Sequence, residues 1–86
     1  MDILERELAF LDKNKEGYKM LEDVIRIAAS ADGKVVLSTN IFPQIAKKYN
    51  KTSAGVERDI RYLLKKGECK LSSKKFIKSV VQKLAN

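Results

Sequence analysis

Histidine and tryptophan are absent from this chain, and cysteine and proline occur once each, at Cys69 and Pro43. One cysteine cannot form an internal disulfide, and without histidine it has no partner for a Cys/His zinc site or a Cys-His catalytic pair. We expect Cys69 to be a small residue near a helix end rather than a redox centre, since thiol chemistry requires the thiolate. The sequence has no glycine-rich phosphate loop either, so we predict neither an enzyme nor a cofactor site.

Long hydrophobic runs are also missing. No segment approaches the roughly 18 apolar residues that a membrane span needs, and Met1-Asp2 opens an acidic amphipathic segment rather than a basic signal peptide. We therefore expect a cytoplasmic protein. Its 86 residues, 44% hydrophobic and 34% charged, are typical of one folded, helix-rich domain.

The net charge of +7 is distributed unevenly along the chain. Residues 1–33 carry five basic and eight acidic side chains, whereas residues 34–86 carry 13 basic and three acidic ones. A basic half of this kind favours a polyanionic partner, of which the nucleic-acid backbone is the commonest. The alternative is a solvated basic surface that only keeps the protein soluble.

Apolar residues at helical spacing predict a first helix over residues 2–12, with leucines at i, i+4 and i+7 from Leu4. Ile3 and Phe10 lie off that stripe. They either complete a wide buried face or form an apolar strip that receives a partner subunit. A second helix is predicted from the break at Gly17 to about Ser30.

A turn at Asp32-Gly33 follows, and the run Val35-Val36-Leu37 is interpreted as extended linker that fills the core, the alternative being a short strand. Ser38, Thr39 and Asn40 are all N-cap types. With Pro43 in the first turn, they predict a third helix that begins near Ile41.

The stretch from Phe42 to Leu64 reads FPQIAKKYNKTSAGVERDIRYLL and has the pattern of a helix-turn-helix. Asn50 suits a left-handed helix end, and Thr52 or Ser53 can cap the helix that follows. We predict a helix-turn-helix over about residues 41–64, because such a pair lets the first helix brace the second in the DNA major groove. The recognition helix would span about residues 53–66.

On a helical wheel at about 100° per residue, the recognition helix has an apolar side and a basic side. The apolar side consists of Val56, Ile60, Leu63 and Leu64, and the basic side of Ala54, Arg58, Arg61, Tyr62 and Lys65. Arginine can bond guanine edges, tyrosine can reach a phosphate or a thymine methyl, and lysine neutralises phosphate. The alternative is an ordinary solvated basic face. Glu57 precedes Arg61 in the favourable i, i+4 order for an ion pair.

The basic half also contains a predicted helix end and a predicted last helix. Lys65-Lys66-Gly67 predicts a helix end with cations and a glycine stop, and Ser72 or Ser73 would cap a last helix. That helix points Phe76, Ile77, Val80, Val81 and Leu84 inward and serves mainly for packing. Gly55 either lets the backbone approach DNA or marks a frayed helix start.

The central stretch resembles the helix-turn-helix of the C-terminal effector domain of the sporulation-initiation response regulator, whose pattern is Tyr-Pro-x-Ile-Ala-Lys-Lys-Phe/Tyr-Asn-x-Thr followed by Val-Glu-Arg-x-Ile-Arg. The Gly17-Tyr18 pair with Leu21, and the stretch from Phe76-Ile77 to Lys83-Leu84, are similar to the family as well. The resemblance implies an all-α domain of five to six helices that binds promoter DNA, often as a head-to-tail dimer, and contacts RNA polymerase. Two positions depart, since Gly55 stands where the family usually has Arg and Tyr62 where it usually has His.

By motif position, the resemblance implies that Glu57, Arg58 and Arg61 are among the DNA-contacting residues. We predict that Arg58, Arg61 and Tyr62 read or approach bases and that four lysines hold phosphates. The complete predicted site consists of Lys47, Lys48, Lys51, Thr52, Ser53, Ala54, Gly55, Glu57, Arg58, Arg61, Tyr62 and Lys65. The alternative function is a protein-interaction module that binds a full-length regulator or RNA polymerase.

The family's regulators also carry an N-terminal phosphoacceptor receiver domain, whereas here Met1 comes only about one helix before the effector region. We therefore expect either an excised domain or a stand-alone version without phosphorylation control.

Overall fold

A computed structural model describes residues 3–31 and 40–85. Over these ranges the chain folds into α-helices without a strand, which confirms the all-α prediction: α1 Ile3–Glu7, α2 Glu16–Ser30, α3 Phe42–Lys48, α4 Ser53–Lys66 and α5 Ser73–Ala85. The predicted turn at Asp32-Gly33, the Val35-Val36-Leu37 run and the cap candidates Ser38 and Thr39 lie outside the described residues. None of the helices described is long and apolar enough to cross a membrane.

Helix α2 lies at the centre of the fold and packs against α3, α4 and α5. Its apolar stripe is fully buried at Leu21, Val24 and Ile25, and Met20 beside the stripe is buried too. Gly17, near the start of α2, lets the helix backbone approach that of α4 closely. The prediction of a scaffold helix ending near Ser30 is confirmed.

The first helix is shorter than predicted. Its α-helical part ends at Glu7 instead of reaching residue 12, and turns continue the chain to Leu11, whose N–H donates to the Leu8 carbonyl at 3.0 Å. A helix of five residues has few hydrogen bonds of its own, so tertiary packing sets the path of the chain. The leucine stripe is nevertheless retained, because Leu4, Leu8 and Leu11 are all buried.

Helix α3 begins at Phe42, close to the predicted residue 41, with Pro43 in its first turn. Ile41 occupies the N-cap position and is fully buried, so Asn40, the one described residue of the three N-cap candidates, does not cap α3. The caps of the next two helices follow the prediction. The Thr52 hydroxyl accepts from the Gly55 N–H at 3.0 Å, and the Ser72 hydroxyl from the Lys75 N–H at 3.3 Å.

Helices α3 and α4 end in the same way. The N–H of Lys51 donates to the carbonyl of Ala46, and that of Cys69 donates to the carbonyl of Leu64, which is the long hydrogen bond of a Schellman motif. Asn50 takes the left-handed position after α3 with φ of 56°, as predicted.

Helix α4 ends at Lys66 with Gly67 as its C-cap, as predicted. Glu68, and not Gly67, has the left-handed backbone there, with φ of 61° against −82° for Gly67. The glycine has a different role, because a Cβ on Gly67 would lie 2.8 Å from Leu11 Cδ2. Without a Cβ, Gly67 allows the side chains of Leu11 and Phe10 to lie close to the end of α4.

Candidate nucleic-acid interface

Helices α3 and α4, which pack against each other, are joined by the short turn of residues 49–52. Backbone bonds fix the start of this turn, and the Thr52 cap fixes its end. Gly55 is the third residue of α4 and faces the Thr52 hydroxyl. Because α4 is capped at this point, its first turn is ordered rather than frayed.

Helix α4, which the sequence predicts to be the recognition helix, has the two predicted faces. Its inner side is buried at Val56, Ile60, Leu63 and Leu64, which join the common core. The outer side consists of Ala54, Arg58, Arg61, Tyr62 and Lys65, all exposed. Because its apolar side is buried in the core, α4 is held in place while its basic side is exposed to solvent.

The cations of this outer side have no carboxylate partner in the described part of the chain. The ion pair predicted between Glu57 and Arg61 does not form, and no acidic oxygen of residues 3–31 or 40–85 lies within 4.0 Å of Arg58 or Lys65. Arg61 and Lys65 instead line a groove of about 350 Å³ between α4 and the start of α5, together with Lys74 and one acidic residue, Glu57. Their charges remain available to a polyanion.

Two of the four predicted phosphate lysines are paired with acidic residues of the scaffold. Lys48 Nζ lies 2.8 Å from Asp23 Oδ2, and the Tyr49 hydroxyl donates to the same oxygen at 2.7 Å. Burial would raise the pKa of Asp23, but these two hydrogen bonds and the charges of Lys48 and Arg26 outweigh it and hold the pKa below its usual value. Burial and the bond to Asp23 raise the pKa of Tyr49 to about 12.

Lys51 lies in the turn between two carboxylates. Its Nζ is 3.4 Å from Asp59 Oδ2 on α4 and 3.5 Å from Glu16 Oε1 on α2. The hydrogen bond to Asp59, followed by the charges of Glu16 and Asp59, raises the pKa of the Lys51 ammonium. The ion pairs of Lys51 therefore link the turn to both α2 and α4.

The other predicted residues differ in their surroundings. Lys47 is exposed and has no acidic partner within the described ranges. Tyr62 is 52% exposed, and the Lys66 ammonium lies over its ring at 5.4 Å from the centroid. Ser53 is half-buried at the start of α4, as is Glu57 one turn later.

Local sequence spacing does not indicate the roles of Glu16, Asp23 and Asp59. Asp23 and Lys48 are separated by 25 positions, so no local spacing connects them. A hint lay in the composition, because acidic residues of one helix can offset cations of another that packs on it. Among residues 3–31 and 40–85, no group of three or more Cys, Asp or Glu side chains could hold a metal ion.

Residues 4–85 match the sequence model of a family described as "Sporulation initiation factor Spo0A C terminal". Comparisons with curated proteins and with solved structures give no match. The family match agrees with the all-α fold and with an exposed basic helix carried by a helical scaffold. Because the match extends over nearly all of the 86 residues, the chain belongs to the Spo0A C-terminal family, whose members are DNA-binding effector domains that regulate transcription in sporulation and are not enzymes.

Proposed function

We propose that the chain is a sequence-specific regulator of transcription that places α4 in the major groove of double-stranded DNA. The observation that supports this most directly is the exposed side of α4, where Arg58, Arg61 and Lys65 have no acidic partner in the described ranges. An arginine without a carboxylate partner can make a bidentate bond to guanine O6 and N7. Such a regulator would act in the cytoplasm, where the bacterial chromosome lies.

The start of α4 is the part of the helix that would lie deepest in the groove, since recognition helices contact bases mainly through their N-terminal residues. Ala54 is exposed there, and Ser53 and Gly55 are half-buried beside it. Small side chains at these positions allow a close approach of the helix backbone. Arg58 follows one turn later, and Arg61 and Tyr62 lie a further turn along.

The remaining predicted contacts hold the phosphate backbone. Lys47 and Lys65 are exposed and have no acidic partner among the described residues, so they are the first candidates for phosphate contacts. Lys48 and Lys51 are held by carboxylates in the free protein and would have to exchange partners to bind phosphate. Thr52 and Glu57 complete the surface beside the turn.

A selection of duplexes from a random pool tests this function. We expect one sequence to be enriched, and its binding constant to fall with salt at a slope of about 0.9 for each phosphate neutralised. A binding constant that does not respond to salt, or a pool without enrichment, would contradict the proposal.

The docking face is tested by Arg58→Ala on the enriched duplex. We expect a loss of on the order of 1 to 3 kcal/mol and a relaxed preference at one base pair. Arg6→Ala is the matched control, because Arg6 is an exposed arginine of α1 and its loss changes the net charge equally. If both variants bind alike, the face of α4 is not the docking face.

The stoichiometry of the selected complex addresses the dimer that the family resemblance implies. Two protein molecules on two half-sites in the same direction would support a head-to-tail dimer on DNA. One molecule on a single site would contradict it.

A second candidate function is a protein-interaction module that binds a full-length regulator or RNA polymerase. It is favoured by two exposed apolar side chains of the first segment, Ile3 at 44% and Phe10 at 49% exposure. Phe10 contacts Phe76 edge to face at 5.9 Å between ring centroids, so only part of the ring is covered. Capture of purified RNA polymerase by a variant lacking Arg58 and Arg61, and loss of capture in Phe10→Ser, would support this function. If the variant lacking Arg58 and Arg61 captures neither RNA polymerase nor a full-length regulator, this function is excluded.

A further inference from the structure

We propose that Asp23, on the scaffold helix α2, is a positioning residue for DNA recognition, which acts through Lys48 and Tyr49 to fix the orientation of α4. The inference rests on the proposed function, in that the orientation of α4 determines which bases its side chains reach. Asp23 itself is not assigned a contact with DNA.

The carboxylate of Asp23 accepts two hydrogen bonds on one oxygen. Lys48 Nζ lies 2.8 Å and the Tyr49 hydroxyl 2.7 Å from Oδ2, both within the usual range of hydrogen bonds to a charged carboxylate. The two donors are adjacent in sequence, and they are the last residue of α3 and its C-cap. Asp23 therefore fixes the end of α3, the point from which the chain turns toward the recognition helix.

The two donors differ in how far they are exposed. The Lys48 side chain is 60% exposed, so its ion pair is screened by water and salt. Tyr49 is half-buried and packs against the core, so its ring is held and its hydroxyl has a defined direction. The hydrogen bond from Tyr49 thus fixes the position of the end of α3, and the ion pair of Lys48 adds charge complementarity.

From Tyr49 to the first residue of α4 there are only three intervening residues, and hydrogen bonds constrain them. Lys51 N–H donates to the Ala46 carbonyl at 2.8 Å, and Lys51 Nζ reaches Asp59 on α4. A rotation of the end of α3 would therefore be passed on to the start of α4. A short, hydrogen-bonded turn has little conformational freedom, so it would not absorb the rotation.

The contact also changes the expected role of Lys48. Its ammonium already has a carboxylate partner, so its transfer to phosphate would give up one of the two hydrogen bonds that Asp23 makes to the end of α3. We infer that Lys48 contributes to DNA binding mainly by its bond to Asp23. Lys48→Ala should then lower the preference for the selected duplex while leaving the salt slope of binding nearly unchanged, whereas Lys47→Ala should lower the slope by about 0.9.

A measurement without DNA tests the positioning role directly. In Asp23→Ala, amide hydrogen exchange at Asn50 and Lys51 should accelerate by about tenfold or more relative to wild type, while the core amides of Leu21 and Val24 should change far less. Tyr49→Phe, which removes one bond and no charge, should show the same pattern if Asp23→Ala does not fold. Uniform acceleration of turn and core amides would overturn the proposal, because it would indicate only a loss of global stability.

The measurement with DNA uses the selected duplex and a scrambled duplex of equal length. Asp23→Ala should reduce the ratio of the two affinities by about tenfold, a discrimination of about 1.4 kcal/mol, without weakening the scrambled duplex. Glu22→Ala is the matched control, since it removes a neighbouring carboxylate of α2 that pairs with Arg26 instead. An unchanged ratio in Asp23→Ala, or an equal fall in Glu22→Ala, would overturn the proposal.

The two proposals fail in different ways. If the wild-type chain selects no duplex, the proposed function fails, and amide exchange alone then decides whether Asp23 positions the turn. If the wild type selects a duplex and the ratio does not fall in Asp23→Ala, only the positioning role fails.

Discussion

The backbone carbonyl oxygen of Asp59 lies 2.8 Å from the place that a Cβ would occupy on Gly17. Helices α2 and α4 therefore meet backbone to backbone at this point, near the start of α2 and the middle of the recognition helix. A side chain between them would have to displace a helix backbone, which is rigid, rather than the end of a flexible side chain. Gly17 thus sets the distance between scaffold and recognition helix.

Gly17→Ala should lower the free energy of unfolding by about 1 to 3 kcal/mol, the usual cost of overfilling a packed contact. Gly67→Ala is a useful comparison, because its Cβ would meet Leu11 and Phe10 through side-chain atoms that can move. We expect a smaller loss there. Urea denaturation of both variants measures the difference, and a smaller loss in Gly17→Ala than in Gly67→Ala would contradict this explanation.

A second prediction concerns the backbone conformation of Glu68. Its φ of 61° is unfavourable for a residue with a Cβ, and it occupies the left-handed position after α4. Glu68→Gly should raise the free energy of unfolding by about 0.5 to 1 kcal/mol, since relief of the steric strain exceeds the added entropy of the unfolded chain.

Glu68→Ala is the matched control for that substitution. It removes the same charge and keeps the Cβ, so it should not stabilise the protein. Thermal or denaturant unfolding of the two variants side by side separates strain from charge. Equal stabilisation in both would show that the charge of Glu68, and not its backbone, is responsible.

Local patterns predicted the helix ends that depend on residue type alone. Asn50 was expected in a left-handed conformation and has it, because its short polar side chain tolerates that region. The same reasoning assigned the stop of α4 to Gly67, which is the C-cap of that helix, whereas the left-handed position after it is Glu68. The close approach of Leu11 to Gly67 is not contained in any local pattern.

In the candidate site, too, some features follow from local sequence patterns and others depend on tertiary packing. The outward side of α4, including Arg58 and Arg61, follows from helical periodicity, which is local. The contact of Asp23 with Lys48 and Tyr49 depends on how α2 and α3 pack, across 25 and 26 positions of the sequence. Sequence patterns therefore predicted the exposed basic face of α4, whereas the residues that hold the end of α3 in place required the three-dimensional structure.

The pH dependence of stability tests the bonds to Asp23 by another route. Because the pKa of Asp23 is lower in the folded protein than its usual 3.8, the paired carboxylate stabilises the fold fully above that pH. This contribution should be lost as the pH falls through the lower, folded pKa. Titration of the Asp23 carboxyl by NMR should give a midpoint below 3.8 that rises in Tyr49→Phe. A midpoint that stays the same in Tyr49→Phe would show that the tyrosine does not support the carboxylate.

Gly55 offers a test of how closely α4 approaches DNA. It is the third residue of the recognition helix, half-buried, and stands where the family that this chain resembles usually has Arg. A Cβ at this position would lie 3.1 Å from the Thr52 hydroxyl oxygen, so the cap would have to move by a few tenths of an ångström. The gain in helix propensity over Gly, about 1 kcal/mol, offsets that crowding.

We therefore expect Gly55→Arg to fold with nearly unchanged stability and to bind DNA more tightly. Its new charge lies at the start of α4, and if it meets a phosphate the salt slope should increase by about 0.9. Gly55→Ala, which adds the Cβ without the charge, separates the effect on the cap from the effect on DNA. If Gly55→Arg binds no better than Gly55→Ala at low salt, the first turn of α4 does not lie against the nucleic acid. The orientation proposed for the recognition helix would then have to be reversed, with Lys65 and the groove beside α5 nearest to the DNA.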